Sequence, residues 1–159
     1  MLKRLFPDAF DNRFRGLAPA LWLFWPIVLM SLAIDLGGIF APDGGAQSAD
    51  GIPLSTYDPA GAAAVIGVAA FLGLASLMFD LLCVLAALRY RAMVPLLYAL
   101  LVAQFLAHKA IGAMKPIPRI PSASGGEIAL TIFAVTVLGL VLSLTGKGYR
   151  TTALSPPGR

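Results

Sequence analysis

The chain has 159 residues, enough for one domain, and 58% of them are hydrophobic while 13% are charged. Soluble domains hold about 45–50% apolar and about 25% charged residues, so this composition, with a mean hydropathy of +0.84, excludes an ordinary soluble fold and predicts that the solvent is the lipid bilayer. The net charge of +4 does not indicate a nucleic-acid partner, because the basic residues are scattered through short loops. One cysteine excludes an internal disulfide and a cysteine zinc cluster.

Four long apolar runs separated by short polar stretches predict an all-α integral membrane protein. We expect a bundle of four transmembrane helices, at about 17–40, 59–88, 94–114 and 127–145, within one domain at 17–145. The single histidine excludes a bis-His haem within one subunit, and the chain has no phosphate-binding loop, serine-hydrolase elbow or zincin motif. We therefore predict no metal, no cofactor and no catalytic constellation.

Residues 1–16 mix apolar and basic side chains at helical spacing. This pattern predicts a short amphipathic helix lying in the plane of the lipid headgroups, ahead of the first span. The apolar run that follows is too long for a signal peptide and has no small-residue cleavage site, so we predict an uncleaved anchor. Pro26 lies inside that run and should kink it, because proline lacks a backbone donor.

The segment between the first two spans, residues 41–58, contains three aspartates and no lysine or arginine, which predicts an exposed, non-cytoplasmic loop. Asp58 and Pro59 then form an N-cap and first helical position for the second span. An elbow with Arg89 and Arg91 leads to the third span. A connection with three prolines precedes the fourth span, and residues 146–159 form a basic tail that we expect to be disordered.

The basic residues predict the orientation. If the N-terminus is cytoplasmic, nine of the twelve lysines and arginines lie on the cytoplasmic side, and only Lys109, Lys115 and Arg119 lie on the other. Positive residues favour the cytoplasmic side, so both termini are predicted to be cytoplasmic. The short loops and the Ala-, Gly-, Pro- and Arg-rich composition favour a bacterial inner membrane.

Helix rise converts sequence spacing into depth. Asp80 is nine residues before Arg89, about 13 Å above the cytoplasmic boundary at 1.5 Å per residue. The same count places Gln104 at about 20 Å and His108 at about 25 Å. Asp35, counted from Arg15, and Glu127, counted from Lys147, come out near 30 Å. These depths predict two groups. The intramembrane candidates are Ser76, Asp80, Gln104 and His108, and the charged cluster at the outer boundary holds Asp35, Lys109, Lys115, Arg119 and Glu127.

Each group has a functional and a structural interpretation. A charge at the depth of Asp80 costs about 2.5–3.5 kcal/mol on insertion scales. Asp80 is therefore predicted either to carry protons, coordinate an ion or contact another subunit, or to be protonated and hydrogen-bonded to Ser76, Gln104 or backbone, which holds the helices together. In the outer cluster, Asp35 either orients His108 in a site for an anionic headgroup, quinone or solute, or pairs with Lys109 while Glu127 caps its helix.

Three functions are compatible with these residues. The first is a structural or accessory subunit that packs into a larger membrane complex or forms a homo-oligomer. The second is a proton, ion or small-solute conduit lined by Asp80, Gln104 and His108. The third is an enzyme at the outer face that acts on a lipid or quinone, with His108 as base and Lys109 or Arg119 binding an anionic group. It has the least support, because the sequence offers no catalytic partner for His108 beyond Asp35.

Overall fold

The computed structural model describes residues 5–6, 11–120 and 125–145, and over these ranges it contains helices and no strand. The four long helices are α1 (Ala18–Phe40), α2 (Pro59–Arg89), α3 (Val94–Met114) and α4 (Gly125–Leu144). Each is long and apolar enough to cross a membrane, which confirms the predicted four-helix membrane bundle. The helices begin and end within two residues of the predicted spans.

Of the segment before α1, the structure describes residues 5–6 and 11–17. Residues 11–17 are not helical. Residues 11–17 run across the ends of the helices as an irregular strap. The backbone N–H of Leu17 donates to the carbonyl of Leu142, and the N–H of Ala92 donates to that of Asp11. The rest of the predicted amphipathic segment, apart from residues 5–6, lies outside the described residues, as does the predicted tail at 146–159.

The order of the helices in space differs from their order in the chain. α1 packs against α2 on one side and α4 on the other, and α4 packs against α3. α2 and α3 make little direct contact, although a short 3₁₀ turn at Arg91–Met93 joins them. We call the end of the bundle with this turn the elbow end, and the end with residues 41–58 the loop end.

A close-packed core fills the elbow end. Its largest fully buried side chains include Phe24, Val28, Leu97 and Tyr98. The rings of Phe24 and Tyr98 meet edge to face with their centroids 5.0 Å apart. Gly139 of α4 lies against the Tyr98 ring so closely that a Cβ at this position would overlap the ring. This half of the bundle is therefore tightly closed.

The loop end is covered by an ordered loop. The carboxylate of Asp43 accepts hydrogen bonds from the backbone N–H groups of Gly45 (3.0 Å) and Ser48 (2.8 Å). Gly44 has φ +61 and lies against the backbone carbonyl of Ile66, where a side chain would be crowded as well as strained. Further along, the loop bonds to the segments around α3 and α4: Ile120 N–H donates to the carbonyl of Gly51, and Gly125 N–H to that of Ala49.

α1 and α2 approach each other closely at the loop end because glycine lies between them. A Cβ on Gly73 would come within 3.0 Å of the backbone carbonyl oxygen of Asp35. Gly38 of α1 lies beside the Cα of Gly73 in the same contact. The two helices run in opposite directions, and the backbone contact at Gly73 fixes how Asp35 of α1 faces α2.

A polar cavity between the helices

A cavity of about 400 Å³ lies between the four helices on the loop-end side of the core. Its polar lining comes mostly in pairs one helical turn apart: Ser31 and Asp35 on α1, Ser76 and Asp80 on α2, and Gln104 and His108 on α3. Spacing of four residues puts both members of a pair on one helix face. Thr136 of α4 and Asp50 of the loop complete the polar lining.

Asp35 and Asp80 meet within this cavity. Their carboxyl groups are close enough to share a hydrogen bond. A side chain leans toward the N-terminus of its own helix, and the two helices are antiparallel, so Asp35 leans toward the elbow end and Asp80 toward the loop end. The two carboxyl groups therefore converge at a level between their Cα atoms.

The paired carboxyl groups receive no hydrogen bond from the rest of the described chain. Asp80 is only 4% exposed, and the Oδ2 atoms of Asp80 and Asp35 are both buried and accept no hydrogen bond from an N–H or O–H group of any other described residue. Ionised carboxylates only accept hydrogen bonds, so the two groups can bond to each other only when one of them carries a proton. Two bare charges at this separation would repel strongly, which also favours one shared proton. The pair then carries a single negative charge.

Aromatic and aliphatic side chains form the rest of the wall. Phe79 of α2, Phe105 of α3 and Phe133 of α4 all line the cavity. The rings of Phe105 and Phe133 stack with centroids 4.1 Å apart and tie α3 to α4. A mostly apolar wall with a few convergent polar groups is typical of a site for a small molecule.

The cavity is closed at the elbow end and reaches exposed residues near the loop end. Between Asp80 and the elbow, the side chains of Cys83, Phe24 and Tyr98 are fully buried in the core and lie outside the cavity lining. Gln104 and His108 are exposed, and Asp50 is an exposed residue of the covering loop, so these three lie at the rim. α2 and α3 make little direct contact, and the exposed residues Gln104 and His108 of α3 belong to the lining, so we infer that the cavity is reached between these two helices.

The structure places all four intramembrane candidates, Ser76, Asp80, Gln104 and His108, on this one cavity. The depth count placed Asp35 far above Asp80, but in the structure the carboxyl groups of the two residues lie against each other. The count took the Cα level as the level of the carboxyl group and began at Arg15, although the helix begins only at Ala18. Both choices exaggerated the separation of Asp35 from Asp80.

The charged residues of the predicted outer cluster form no ion pair with one another in the described chain. The one ion pair among the described residues joins Arg15 to Asp11, so the structure contradicts the alternative in which Asp35 pairs with Lys109. The Lys109 ammonium lies over the ring of Phe105, 5.3 Å from its centroid. The remaining members of the predicted cluster are exposed and are not part of the cavity lining; they are Lys115, Arg119 and Glu127.

Three polar residues of the lining were not among the sequence candidates. Ser31 could have been found, because it precedes Asp35 by one helical turn and must share its face. Thr136 carries a weaker signal, and its hydroxyl donates to the carbonyl of Ile132 within its own helix (2.7 Å). No pattern in the sequence around Asp50 indicates that it lines the cavity, because only the fold of the covering loop brings it to the rim.

Comparison with known proteins adds no functional assignment: no protein family, no curated protein and no solved structure matches the chain.

Proposed function

We propose that this protein binds a small amphipathic molecule in the cavity between its helices. The observation that carries the proposal is the Asp35–Asp80 pair, a charged polar site that receives no hydrogen bond from the other described residues and belongs to the lining of a mostly apolar cavity. A buried charged group with too few hydrogen bonds is costly. A ligand that donates a hydrogen bond to the pair would lower this cost, and its apolar part would contact the wall.

The shape of the cavity favours binding over conduction through a single chain. A conduit needs a polar path along its whole length, and the elbow half is filled by the packed side chains of Phe24, Cys83 and Tyr98. The enzyme hypothesis needs Asp35 to orient His108, but Asp35 contacts Asp80 instead. The binding proposal involves the same residues as the conduit hypothesis, Asp80, Gln104 and His108, but places them in a cavity that does not continue through the elbow half.

A second candidate function, the accessory subunit, is supported by the loop-end half of α3. From Ala103 to Met114 every residue except Phe105 is exposed, and among them Ile111 and Met114 are half or more exposed. This face would contact lipid in a monomer, or a neighbouring helix in a larger complex or homo-oligomer. Native mass spectrometry in mild detergent would distinguish the two, since a stoichiometric partner or a second copy favours the subunit function.

The orientation is part of the same proposal. With both termini in the cytoplasm of a bacterial cell, the elbow end faces inward, and the cavity opens toward the outer leaflet of the inner membrane. The support is the nine-to-three distribution of basic residues. A ligand would then enter from the outer leaflet or from the outer aqueous phase.

Cysteine accessibility tests the cavity directly. In a Cys83→Ala background, Ser76→Cys places a thiol on the cavity wall with almost no change in size. Ala75→Cys is the matched control, because it lies one residue away at nearly the same depth but is exposed on the surface of the bundle. In lipid nanodiscs, a water-soluble thiol reagent should modify Ser76→Cys about tenfold or more faster, since hydrocarbon excludes polar reagents. Equal, negligible rates at both positions would show that the cavity is closed and overturn the proposal.

A further inference from the structure

We propose that the cavity selects a singly charged organic cation with an apolar tail, and that the Asp35–Asp80 pair holds the cationic head. This inference rests on the proposed function and names the ligand class of the same site. It follows from the charge of the pair, from the groups that face it and from the aromatic wall.

The first step is charge balance. Asp80 is 4% exposed and belongs to the cavity lining together with Asp35, and neither carboxyl group accepts a hydrogen bond from another described residue. With one shared proton the pair carries one negative charge, and an isolated charge inside a bilayer is costly. One positive charge on the ligand would neutralise it without any proton moving. A divalent cation would be balanced only after it displaced the shared proton, and an anion would be repelled.

The second step concerns the groups that face the pair. Beside Asp35 and Asp80 themselves, the titratable groups are Cys83 of α2, His108 of α3 and Asp50 of the loop, while α4 contributes the hydroxyl of Thr136. No lysine or arginine belongs to the cavity lining of the described chain. Since nothing in the lining supplies a permanent positive charge, the ligand must supply it.

The third step is the aromatic wall. The rings of Phe79, Phe105 and Phe133 line the same cavity as the carboxyl pair. The face of an aromatic ring attracts cations, and aromatic walls are a recurrent means of binding substituted ammonium groups. The Phe105 ring already attracts a cation in this protein, because the Lys109 ammonium lies over it. An ammonium head among these rings would have both a counter-charge and favourable ring faces.

The fourth step concerns the tail. Because the cavity is reached between α2 and α3, an apolar chain attached to the head could extend into the hydrocarbon. Two sources share this chemistry: a free alkylamine, and the amine headgroup of a phospholipid. Nanodiscs made with phosphatidylethanolamine or with phosphatidylglycerol alone separate them, because only the first lipid carries an ammonium that could occupy the site.

The test compares charged reagents at one thiol. In the Cys83→Ala, Ser76→Cys protein in phosphatidylglycerol nanodiscs, we would measure modification by trimethylammonioethyl and sulfonatoethyl methanethiosulfonates. The ratio of the two rates is divided by the same ratio at Ser48→Cys, an exposed loop position, which corrects for the surface charge of the membrane. The normalised preference for the cation should be about tenfold. Hexyltrimethylammonium should slow the reaction several-fold, while hexanesulfonate at the same concentration should not.

Two variants link the preference to the residues named. Asp80→Asn should abolish the cation preference, since it removes the charge of the pair while keeping the size of the side chain. If Asp80→Asn does not fold, Phe133→Leu serves instead, because it removes one ring and keeps an apolar side chain; it should weaken protection by hexyltrimethylammonium. In phosphatidylethanolamine nanodiscs, slower labelling with either reagent would identify the lipid headgroup as an occupant.

The outcomes separate this inference from the proposed function. Rapid labelling of Ser76→Cys with no charge preference would leave the binding cavity in place and overturn the choice of a cation. If neither reagent labels Ser76→Cys in phosphatidylglycerol nor in phosphatidylethanolamine nanodiscs, both the proposed function and the choice of a cation are overturned. A cation preference that persists in Asp80→Asn would contradict the role of the pair.

Discussion

The hydroxyl group of Tyr98 donates a hydrogen bond to the backbone carbonyl of Ala20 across 2.7 Å, at a place where both residues are fully buried. The bond joins α3 to α1, two helices that are far apart in the chain. Tyr98 also presents its ring to Phe24 and to Gly139 of α4. One side chain thus ties three helices together on the elbow-end side of the cavity.

Replacing Tyr98 by phenylalanine should lower the stability of the bundle without changing its fold. The ring stays, but the hydrogen bond to Ala20 is lost, which costs about 1 kcal/mol. The midpoint of thermal unfolding in detergent measures the loss. Tyr90→Phe is the control, because Tyr90 is 41% exposed at the elbow, and it should have little effect. Equal midpoints for Tyr98→Phe and the wild type would contradict the structural role of the bond.

Gly139→Ala should destabilise the protein because the added methyl group would overlap the Tyr98 ring. Crowding of this kind in a packed core costs about 1–3 kcal/mol. Gly112→Ala is the matched control, since Gly112 is also helical but has open space where the methyl group would lie. That change should be neutral or stabilising by up to about 1 kcal/mol, because alanine is the better helix former. The same unfolding assay compares them, and similar losses in both would contradict the packing.

Particular residues show which features of the structure could be predicted from the sequence. The four spans follow from apolar runs bounded by turn residues such as Asp58 and Pro59. The predicted N-cap at Asp58 is present, because its carboxylate accepts a hydrogen bond from the backbone N–H of Gly61. The face shared by Gln104 and His108 follows from their spacing. Contact across helices could not be predicted, because depth along an axis says nothing about rotation around it. The sequence therefore offers His108 and Lys109 as alternative neighbours of Asp35 and does not indicate Asp80.

Asp43 should make the covering loop sensitive to acid. The backbone N–H of Ser48, and less strongly that of Gly45, donates to its carboxylate and holds its pKa below the ordinary value of 3.8. The folded state then binds a proton less readily than the unfolded state, so the stabilisation is complete above about pH 5 and is lost as the pH falls through the folded-state pKa.

The test for Asp43 is the difference in unfolding midpoint between the wild type and Asp43→Asn at several pH values. At pH 7 the variant should be the less stable protein, because asparagine offers the N–H groups no charge. The difference should shrink below about pH 4, where the wild-type carboxylate also becomes protonated. A difference that is constant from pH 7 to pH 3 would show that the charge of Asp43 contributes nothing.

The proposed orientation predicts which positions a reagent reaches from outside intact cells. In the Cys83→Ala background, Ser48→Cys in the loop should react with a membrane-impermeant thiol reagent. Tyr90→Cys at the elbow should react only after the cells are opened, because the elbow is expected to be cytoplasmic. Both positions are exposed in the structure, so a difference in labelling reports the side of the membrane on which each position lies. External labelling of Tyr90→Cys would reverse the orientation and place the cavity opening toward the cytoplasm.

The most direct measurement of the central claim, that Asp35 and Asp80 share one proton in the cavity, is infrared spectroscopy of the protein in nanodiscs at neutral pH. A protonated carboxyl group has a C=O band distinct from that of a carboxylate. We expect the wild type to show this band, and Asp35→Asn and Asp80→Asn each to lose or shift it, because each removes one partner. Asp43→Asn, outside the cavity, should leave it unchanged. A wild-type spectrum without the band, or a band unaffected by either cavity variant, would contradict the shared proton.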